Sequence, residues 1–304
     1  KALKKLKNSI DDSFDKAVKE INKCKSKVII CGVGKSGKIA SKISATLSSV
    51  GTPSFPISAS DCSHGDLGRI TKKDVLIIIS YSGNTDELKN IIKYAKSNNI
   101  TLIGIVSNRR SNLYDSADIK LLIPEVEEAG YGIVPTSSTT AQLSLGDALS
   151  IALMKMKNFG QLDFKKFHPA GSLANKLKTA SDLMLTKSKI PFVNENEIVR
   201  NALKILNKKK LGFILIINNH GLNTGIFTDG DLKRSLQKNK SIEKIKIKSL
   251  MTKKPYSVDE NTLISDIILK MNKKKITSVC VFNKKNKNKT IGVIHIHHIL
   301  KFLK

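Results

Sequence analysis

Apolar positions in the first half of the chain alternate between helical spacing and continuous runs. Helical spacing over 3–21 predicts one amphipathic helix, whose apolar stripe comprises Leu3, Leu6, Ile10, Phe14, Val18 and Ile21. Continuous apolar runs predict buried strands at 27–31, 54–57, 74–80, 100–107 and 118–124. Helices are predicted at 36–50, after the strand at 74–80 as far as Lys96, and at about 136–157. Buried strands separated by helices are typical of a parallel sheet covered on both faces, so we expect a three-layer α/β domain.

From about Lys178 onward the pattern changes, and a repeat indicates a second domain. Its period of 65 to 67 residues predicts two copies of a small α+β unit that pack face to face, because one copy alone would bury little surface. We predict a first domain at 1–178 and a second at 179–304, with repeats at about 179–240 and 246–304. The matching segments are Leu183-Met184 with Leu250-Met251, LNKKK at 206 with MNKKK at 271, and Gly225-Ile226 with Gly292-Val293.

Length and composition narrow the class of protein. A chain of 304 residues with 40% hydrophobic content suits two domains, and no apolar run of about 18 residues predicts a membrane span. No secretory signal is visible, although the chain begins with Lys1 and native residues before it are not excluded. The cysteines lack C-x-x-C spacing, which favours a reducing cytoplasm; they are Cys24, Cys31, Cys62 and Cys280.

The net charge of +28 suggests a nucleic-acid partner, but the kind of basic residue argues against one. Only five of the 53 basic residues are arginine, and tryptophan is absent. Base readout favours arginine, and single-strand binding favours aromatic platforms. A lysine-rich solvated surface explains the charge better. We therefore predict no specific nucleic-acid partner and no membrane partner, with only weak non-specific adhesion at low salt.

A glycine-rich turn follows the first predicted strand, in VIICGVGKSGKIA, Val28 to Ala40. A P-loop would need its first glycine at Ile29, inside the apolar run. A dinucleotide site would need an acid at the end of the next strand, which ends without one. Both motifs share a turn that aims backbone N–H groups and the positive end of a helix dipole at an anion. The turn therefore predicts a phosphorylated ligand beside Lys35 and Ser36.

Hydroxyl-rich turns after two further strands predict the same ligand. Ser80, Ser82 and Thr85 follow a buried strand in SYSGNT and open a helix. One hydroxyl is enough for an ordinary N-cap, whereas three beside free helix N–H groups favour phosphate. PTSSTT, at 135–140, again leads into a helix. Because open α/β sheets bind ligands at the carboxyl ends of their strands, we expect the three turns to converge on one phosphate-sized site.

Together these segments resemble the sugar isomerase (SIS) domain family, whose phosphosugar signature is an S-x-S-G-x-T turn like that at 80–85. Within it, the chain is most similar to the branch that isomerises arabinose 5-phosphate and carries a pair of cystathionine-β-synthase (CBS) motifs as its C-terminal repeat. The resemblance covers nearly the whole chain in the family's order. It rests on GVGKSGKIA, GTPSF, HGDLG, SYSGNTDEL, PTSSTTAQLSLGDALSIALM, FHPAGSLANKL and GIFTDGDLKR.

The resemblance implies interconversion of arabinose 5-phosphate and ribulose 5-phosphate through an enediol, a step toward the acidic lipopolysaccharide sugar Kdo. Such a reaction needs a base for the proton beside the carbonyl, and positive charge or hydrogen bonds for the enediolate. The family's catalytic residues map onto Lys35, Glu87, Glu128 and His168. We assign proton transfer to Glu128 or His168, phosphate or enediolate binding to Lys35, and a sugar hydroxyl to Glu87. Because Glu125 also lies nearby, the residues alone leave open which acid points inward.

Further positions are implied to bind substrate: Ser36, Gly51, Thr52, His64, Ser80, Ser82, Thr85, Thr136, Ser137 and Ser138. Close relatives carry a metal-capable histidine where this chain has Ser58, and a glutamate where it has Asp61. We therefore predict no metal and no cofactor. A second histidine cluster, HIHH, places His295, His297 and His298 at the last strand-to-helix step, where loop or nucleotide contacts are favoured over zinc.

The resemblance also implies a homo-oligomer, typically a tetramer, in which a neighbouring subunit supplies His168. Thr228 and Asp229 in GIFTDGDLKR resemble the ribose- and phosphate-facing segment of nucleotide-binding CBS pairs. A regulatory nucleotide, adenine- or cytidine-based, is therefore a hypothesis.

Other functions are weighed against the isomerase. A ligand-sensing SIS module of a transcription regulator would need a helix-turn-helix domain before the first strand. The residues before Lys27 are too few to form that domain. A non-catalytic sugar-phosphate sensor would not need the acid and base residues that are present. An isomerase of another sugar operon would share every motif quoted, so that alternative stays open.

Overall fold

The computed structural model describes residues 1–238 and 241–303. The chain divides into two units, one from Lys1 to His168 and one from Pro169 onward. The predicted repeat limits at 240 and 304 lie outside the described residues. Within the described ranges, no helix is both long enough and apolar enough to cross a membrane.

The first unit is built on a five-stranded sheet with the order β2-β1-β3-β4-β5, in which every pair is parallel. Its strands β1 and β3 are buried on both faces, as the continuous apolar runs predict. Gly32 at the end of β1 is paired with Ser58 and with Ile79, so three strands end at one edge of the sheet. The strands are β1 Val28–Gly32, β2 Ser54–Ser58, β3 Val75–Ile79, β4 Thr101–Val106 and β5 Ile119–Leu122.

Helices cover both faces of this sheet and complete the predicted three layers. Leu6, Val18, Ile43 and Leu149 bring α1, α2, α3 and α7 into one hydrophobic cluster with the sheet. Residues of α4, α5 and α6 form a second cluster with the opposite face. The helices are α1 Ala2–Ser9, α2 Asp12–Lys23, α3 Gly34–Ser49, α4 Ala59–Cys62, α5 Lys89–Ser97, α6 Asn112–Ser116, α7 Ser137–Met156 and α8 Gln161–Phe167.

The prediction of a single N-terminal helix is wrong. Ile10 has extended backbone angles and is 45% exposed, and the chain breaks there into α1 and α2. Asp11 begins the second helix, because its carboxylate accepts a hydrogen bond from the backbone N–H of Ser13. The apolar spacing runs through the break, so periodicity alone hides a capping residue inside it.

The second unit contains two mixed sheets, β6-β7-β8-β9 and β10-β11-β12, in which parallel and antiparallel pairs occur together. This is the tandem α+β architecture that the repeat predicts. The strands are β6 Phe192–Asn194, β7 Phe213–Ile217, β8 Asn223–Thr228, β9 Thr252–Lys253, β10 Ser257–Asp259, β11 Ser278–Asn283 and β12 Asn286–His295. The helices are α9 Gly171–Lys176, α10 Ala180–Leu183, α11 Val199–Lys209, α12 Asp229–Lys238, α13 Ile264–Lys274 and α14 Ile296–Leu303.

The two repeats share a core, which confirms that they pack against each other. Leu215 of the first repeat and Val293 of the second belong to one buried cluster. At equivalent positions of the repeats, the side-chain amide of Asn223 donates to the hydroxyl of Thr290 at 2.9 Å. Gly225 of the first repeat packs against Met251 of the second, and Gly292 of the second packs against Met184 of the first. A Cβ added to the glycine would lie 2.4 Å from the Met251 sulfur and 2.3 Å from the Met184 sulfur, respectively.

Candidate active site

The topology of the first sheet opens a crevice between the carboxyl ends of β1 and β3. From β1 the chain turns into α3 on one face, and from β3 it turns into α5 on the other. The strand order 2-1-3-4-5 reverses direction between these two strands, and open α/β sheets bind ligands at such a switch point. Two turns therefore lie side by side: the glycine turn, Gly32 to Gly37, and the hydroxyl turn, Ser80 to Thr85.

The glycine turn brings α3 close to β1 and leaves the start of the helix open. An added Cβ on Gly37 would lie 2.7 Å from the carbonyl oxygen of Gly32, so only glycine permits this approach. Gly34 has a φ of +57°, the left-handed region that favours glycine. No side chain caps α3, which begins at Gly34 and carries Lys35 and Ser36 in its first turn. The first N–H groups are thus available to an anion.

The hydroxyl turn after β3 is held by its own side chains. The hydroxyls of Ser80 and Thr85 are 2.9 Å apart, and the backbone N–H of Gly83 donates to the Ser80 hydroxyl at 3.1 Å. Ser80 is buried, whereas Ser82 is exposed. Glu87 is also exposed, in the short 3-10 helix Asp86–Leu88 that follows. The turn thus uses Ser80 to fix its shape and leaves Ser82 open to solvent.

The third predicted cluster already holds an anion, the protein's own Glu128. Its Oε2 accepts hydrogen bonds from the backbone N–H groups of Thr136 at 2.8 Å, Ser137 at 2.7 Å and Ser138 at 3.2 Å. The Thr136 hydroxyl donates to the same oxygen at 3.3 Å. Glu128 therefore caps the 20-residue helix α7. In this conformation these N–H groups are occupied by the carboxylate, and substrate binding by Thr136, Ser137 and Ser138 stays a prediction.

The cap also sets the charge state of the Glu128 carboxyl. Partial burial raises its pKa, but the hydrogen bonds from Ser138, Thr136 and Ser137 together outweigh burial and hold the pKa below its usual range. The group is therefore an ionised carboxylate at neutral pH. The backbone bonds fall mainly on Oε2, whereas Oε1 receives a 3.3 Å bond from the N–H of Ser138. The Ser138 side chain also hydrogen-bonds the carboxylate. Oε1 is therefore the oxygen with fewer backbone hydrogen bonds.

Long-range hydrogen bonds join the three loops into one site. The hydroxyl of Ser36 donates to Oε1 of Gln142 on α7 at 3.2 Å. The backbone N–H of Val126, in the loop that carries Glu128, donates to the hydroxyl of Tyr81 at 3.0 Å. The structure thus brings Lys35, the hydroxyl turn and Glu128 to the same edge of the sheet.

His64 lies at this edge too, beyond the outer strand. It follows α4, which begins at the end of β2 and contacts the 3-10 helix that carries Glu87. The side-chain amide of Asn90 donates to the Ser63 hydroxyl at 3.0 Å and ties the two segments together. Ser58 caps α4 by accepting from the N–H of Asp61. Ser58 thus serves as a helix cap in this chain.

Gly51, Thr52 and His168 are not brought to this edge within one chain. Gly51 follows α3, whose 16 residues span about 24 Å from Lys35 to the opposite edge of the sheet. There the ammonium of Lys157 donates to the Gly51 carbonyl at 3.2 Å and to the Thr52 hydroxyl at 2.8 Å.

His168 lies at this opposite edge because it follows the far end of α7. The ring of the neighbouring Phe167 is 5.7 Å from that of Phe159, which covers Gly51. His168 stacks on Phe164 at 3.8 Å, and its Nδ1 lies 2.9 Å from the Phe164 carbonyl oxygen. That bond leaves Nε2 as the ring nitrogen for other partners.

In the second unit, a cleft of about 680 Å³ is lined by both repeats. Thr228 and Asp229 line it from the first repeat, and Tyr256, His295 and His297 from the second. Its cationic side chains are Lys210, Arg234, Lys254 and Lys275.

Asp231, which also lines the cleft, accepts hydrogen bonds from Thr228, Arg234 and Thr252. Burial raises the pKa of its carboxyl, but these hydrogen bonds outweigh burial and lower the pKa.

His298 occupies the position in the second repeat that Asp231 occupies in the first. Burial, followed by the charges of the two neighbouring histidines, lowers the pKa of His295. Burial, followed by the charges of His297 and Lys301, lowers the pKa of His298. The Nδ1 atom of His298 is buried, with no hydrogen-bond partner among the described residues. Over the same ranges, no group of three or more histidine, cysteine or acidic side chains is placed to hold a metal ion. The prediction that this cluster serves loop or nucleotide contacts is not tested by that geometry.

Sequence reasoning missed Gln142 and Tyr81. Gln142 is 1% exposed, and a polar residue one turn after Ser138 on a buried helix face was the available signal. Tyr81 stands inside the SYSGNT motif, where the hydroxyls on either side drew attention away from it. Both make contacts between loops far apart in sequence, which local patterns do not encode.

Comparisons with known proteins agree with this architecture. The SIS domain family matches residues 20–152, and the CBS domain family matches 180–238 and 247–304. Arabinose 5-phosphate isomerase KdsD of Francisella tularensis is 41% identical over 98% of this chain and 92% of its own length. The Yersinia pestis protein of the same name is 39% identical over 98% and 91%.

A solved structure resembles the first unit. Escherichia coli CFT073 c3406, in complex with arabinose 5-phosphate, is 40% identical, with a TM-score of 0.53 over 55% of this chain and 92% of that one. With a SIS domain, two CBS domains and such relatives along almost its whole length, the chain belongs to the arabinose 5-phosphate isomerase family.

Proposed function

We propose that this protein is an aldose–ketose isomerase that interconverts arabinose 5-phosphate and ribulose 5-phosphate at the carboxyl edge of its parallel sheet. The relatives named above are arabinose 5-phosphate isomerases, and a related structure holds arabinose 5-phosphate. The observation that carries the proposal is Glu128, an ionised carboxylate that caps α7 mainly through Oε2 and whose loop is hydrogen-bonded to the hydroxyl turn. A role in Kdo synthesis remains a prediction from the family resemblance.

The reaction moves one hydrogen between neighbouring carbons. A base removes the proton from C2 of the open-chain aldose, and the C1 carbonyl oxygen takes up a proton, which gives an enediol. Loss of the O2 proton and delivery of a proton to C1 then give the ketose. Because C1 gains the electron pair that C2 gives up, the overall reaction consumes no oxidant or reductant.

Glu128 is suited to the C2 and C1 proton transfers. The backbone bonds to Oε2 fix the carboxylate, and we assign Oε1, which has fewer of them, to take the proton from one carbon and return it to the next. The depressed pKa keeps the base ionised over the whole neutral range, at the cost of some basicity. We assign Lys35, beside the open end of α3, to the phosphate or the enediolate, and Glu87 to a sugar hydroxyl.

We further infer a homotetramer in which His168 reaches the site of a neighbouring subunit. Within one chain, His168 follows the far end of α7, a helix about 30 Å long whose first turn binds Glu128. A second copy would therefore be needed to bring the His168 imidazole to this edge for proton transfer between O1 and O2. Gly51 and Thr52 lie at the same far edge and would join the site in the same way.

For the second unit we propose a regulatory nucleotide in the cleft between the repeats. The ammonium and guanidinium groups of the cleft supply positive charge for phosphates, while Thr228 and Asp229 offer groups for a ribose. Tyr256 provides an aromatic face for a base. Calorimetric titration of the full chain with adenosine and cytidine nucleotides tests this, and no heat with any of them would remove the proposal.

The central test is turnover. Purified protein is incubated with arabinose 5-phosphate, and ketose formation is followed beside ribose 5-phosphate and glucose 6-phosphate as matched phosphosugars. Selective conversion of the arabinose compound is expected. Conversion of a different phosphosugar would point to an isomerase of another sugar pathway. Tight binding without conversion of any sugar would favour a sensor.

A further inference from the structure

Gln142 is a buried polar side chain whose hydrogen bonds are only half used. It lies on α7, one turn after Ser138, and is 1% exposed. Its Oε1 accepts the Ser36 hydroxyl at 3.2 Å. Its Nε2 is buried and has no hydrogen-bond partner in the part of the chain that the structure describes. An unpaired buried donor costs about 1–3 kcal/mol, so this position calls for a functional explanation.

The arrangement limits what Ser36 can do. A serine hydroxyl has a single proton to donate, and here Ser36 gives it to Gln142. Ser36 stands in the first turn of α3, where an anion would need donors rather than acceptors. In the orientation shown, the Ser36 hydroxyl presents only lone pairs to a phosphate.

Rotating the side-chain amide of Gln142 by half a turn reverses the direction of its hydrogen bond with Ser36. The Nε2 group would then donate to the Ser36 oxygen, and the serine proton would become free for the anion. The exchange leaves one amide atom unpaired before and after, because the carbonyl oxygen takes the place of the unpaired nitrogen. The two orientations are therefore close in hydrogen-bond count, and a bound phosphate is enough to favour the second.

We propose that Gln142 is a positioning residue that controls the direction of the Ser36 hydroxyl and so the affinity for the phosphate of the substrate. This rests on the proposed function only in placing a sugar phosphate at the start of α3. A glutamine can accept or donate in one place, which neither a carboxylate nor an apolar side chain of similar length can do.

The test is a cycle of variants at the two positions. Q142E keeps an acceptor for Ser36 but cannot donate when ionised, and Q142M keeps the length without hydrogen bonds. Each is made alone and in the S36A background. Dissociation constants for arabinose 5-phosphate and for inorganic phosphate are measured by calorimetry, and thermal midpoints are recorded beside them.

Q142E is expected to weaken binding of both phosphates by about tenfold and Q142M by about threefold. In the S36A background Q142M should change affinity little, and Q142E less than it does beside Ser36, because the hydroxyl through which Gln142 acts is gone. The charge added by Q142E remains in both backgrounds, so the difference between them isolates the serine. Q142M carries the same comparison if Q142E does not fold.

Equal fold-changes in both backgrounds, or lower thermal midpoints with unchanged dissociation constants, would overturn the inference and leave Gln142 a packing residue. Wild-type turnover of arabinose 5-phosphate is measured separately. Wild-type binding without turnover would defeat the proposed function and leave this inference standing on the affinities. Failure of wild-type protein to bind either phosphate would defeat both.

Discussion

The backbone N–H of Val126 donates a hydrogen bond to the Tyr81 hydroxyl at 3.0 Å. Tyr81 stands in the hydroxyl turn after β3, and Val126 lies two residues before Glu128. One side chain thus connects the turn predicted to bind phosphate with the loop that carries the proposed base. This bond therefore helps to hold the hydroxyl turn and Glu128 at a fixed spacing.

Removing that bond should slow catalysis without unfolding the protein. Y81F keeps the ring, which packs against the sheet, and deletes only the hydroxyl. We expect kcat/KM for arabinose 5-phosphate to fall about fivefold, the equivalent of about 1 kcal/mol for one hydrogen bond. The thermal midpoint should change little. Y114F, at a tyrosine whose hydroxyl makes no bond to the loop at 123–136, is the matched control, and equal losses in both variants would contradict the prediction.

Glu128→Gln should remove most of the turnover. The amide keeps the shape of the side chain and an acceptor for the α7 cap, but it cannot take the C2 proton. General base catalysis contributes about 10²- to 10⁴-fold, so kcat should fall within that range. Steady-state kinetics with arabinose 5-phosphate measures it. E127Q serves as the control, because Glu127 is exposed and accepts no hydrogen bond from the start of α7. Near-wild-type turnover of E128Q would transfer the base role elsewhere.

Glu128 should also make the thermal stability of the protein depend on pH in the acidic range. Its folded pKa lies below its unfolded value, so its contribution is present above the unfolded pKa, about 4.3, and is lost as the pH falls through the folded pKa. Thermal midpoints recorded from pH 7 down to pH 3 should therefore fall less steeply for E128Q than for wild type. Parallel curves would show that the cap does not titrate with folding.

Mixed oligomers should reveal whether two chains build one site. E128Q and H168A are each expected to be nearly inactive. Co-expressed, they should recover about a quarter of the wild-type activity, because in a symmetric assembly one site in about four would pair an intact Glu128 with an intact His168. Activity is measured on the purified mixture, with each variant alone as the control. No recovery in a mixture shown to contain both chains would place His168 outside the partner's site.

Gly83→Ala should damage the hydroxyl turn through lack of space. Gly83 has a φ of +72°, and an added Cβ would lie 2.2 Å from the Ser111 hydroxyl and 2.7 Å from Val106. Gly34→Ala is the matched control, since Gly34 also has a positive φ, +57°, but has open space around it. We expect the control to cost about 1–2 kcal/mol of unfolding free energy and Gly83→Ala about 1–3 kcal/mol more. Chemical denaturation measures both, and equal losses would rule out the steric cause.

The sequence alone predicts the five strands of the first unit, the helices α3, α5 and α7, and the polar turns at their ends. Continuous apolar runs specify buried strands because a parallel sheet covered on both faces excludes polar side chains. Gly32, Gly34 and Gly37 specify a tight strand-to-helix turn, and Ser80 to Thr85 a second one, since both depend on residues a few positions apart. Asp11 shows the limit, because a cap inside an apolar stripe divides a helix that periodicity would continue.

Only the tertiary structure decides which of these ends meet. The sequence offers Glu125, Glu127 and Glu128 equally, and the fold selects Glu128 because only its carboxylate bonds to the start of α7. It likewise places Gly51 and His168 a helix length away from Lys35, although all three belong to recognisable motifs. Local patterns fix conformation over about a turn, whereas the meeting of loops follows from strand order and from hydrogen bonds between residues distant in the chain, such as Ser36 with Gln142.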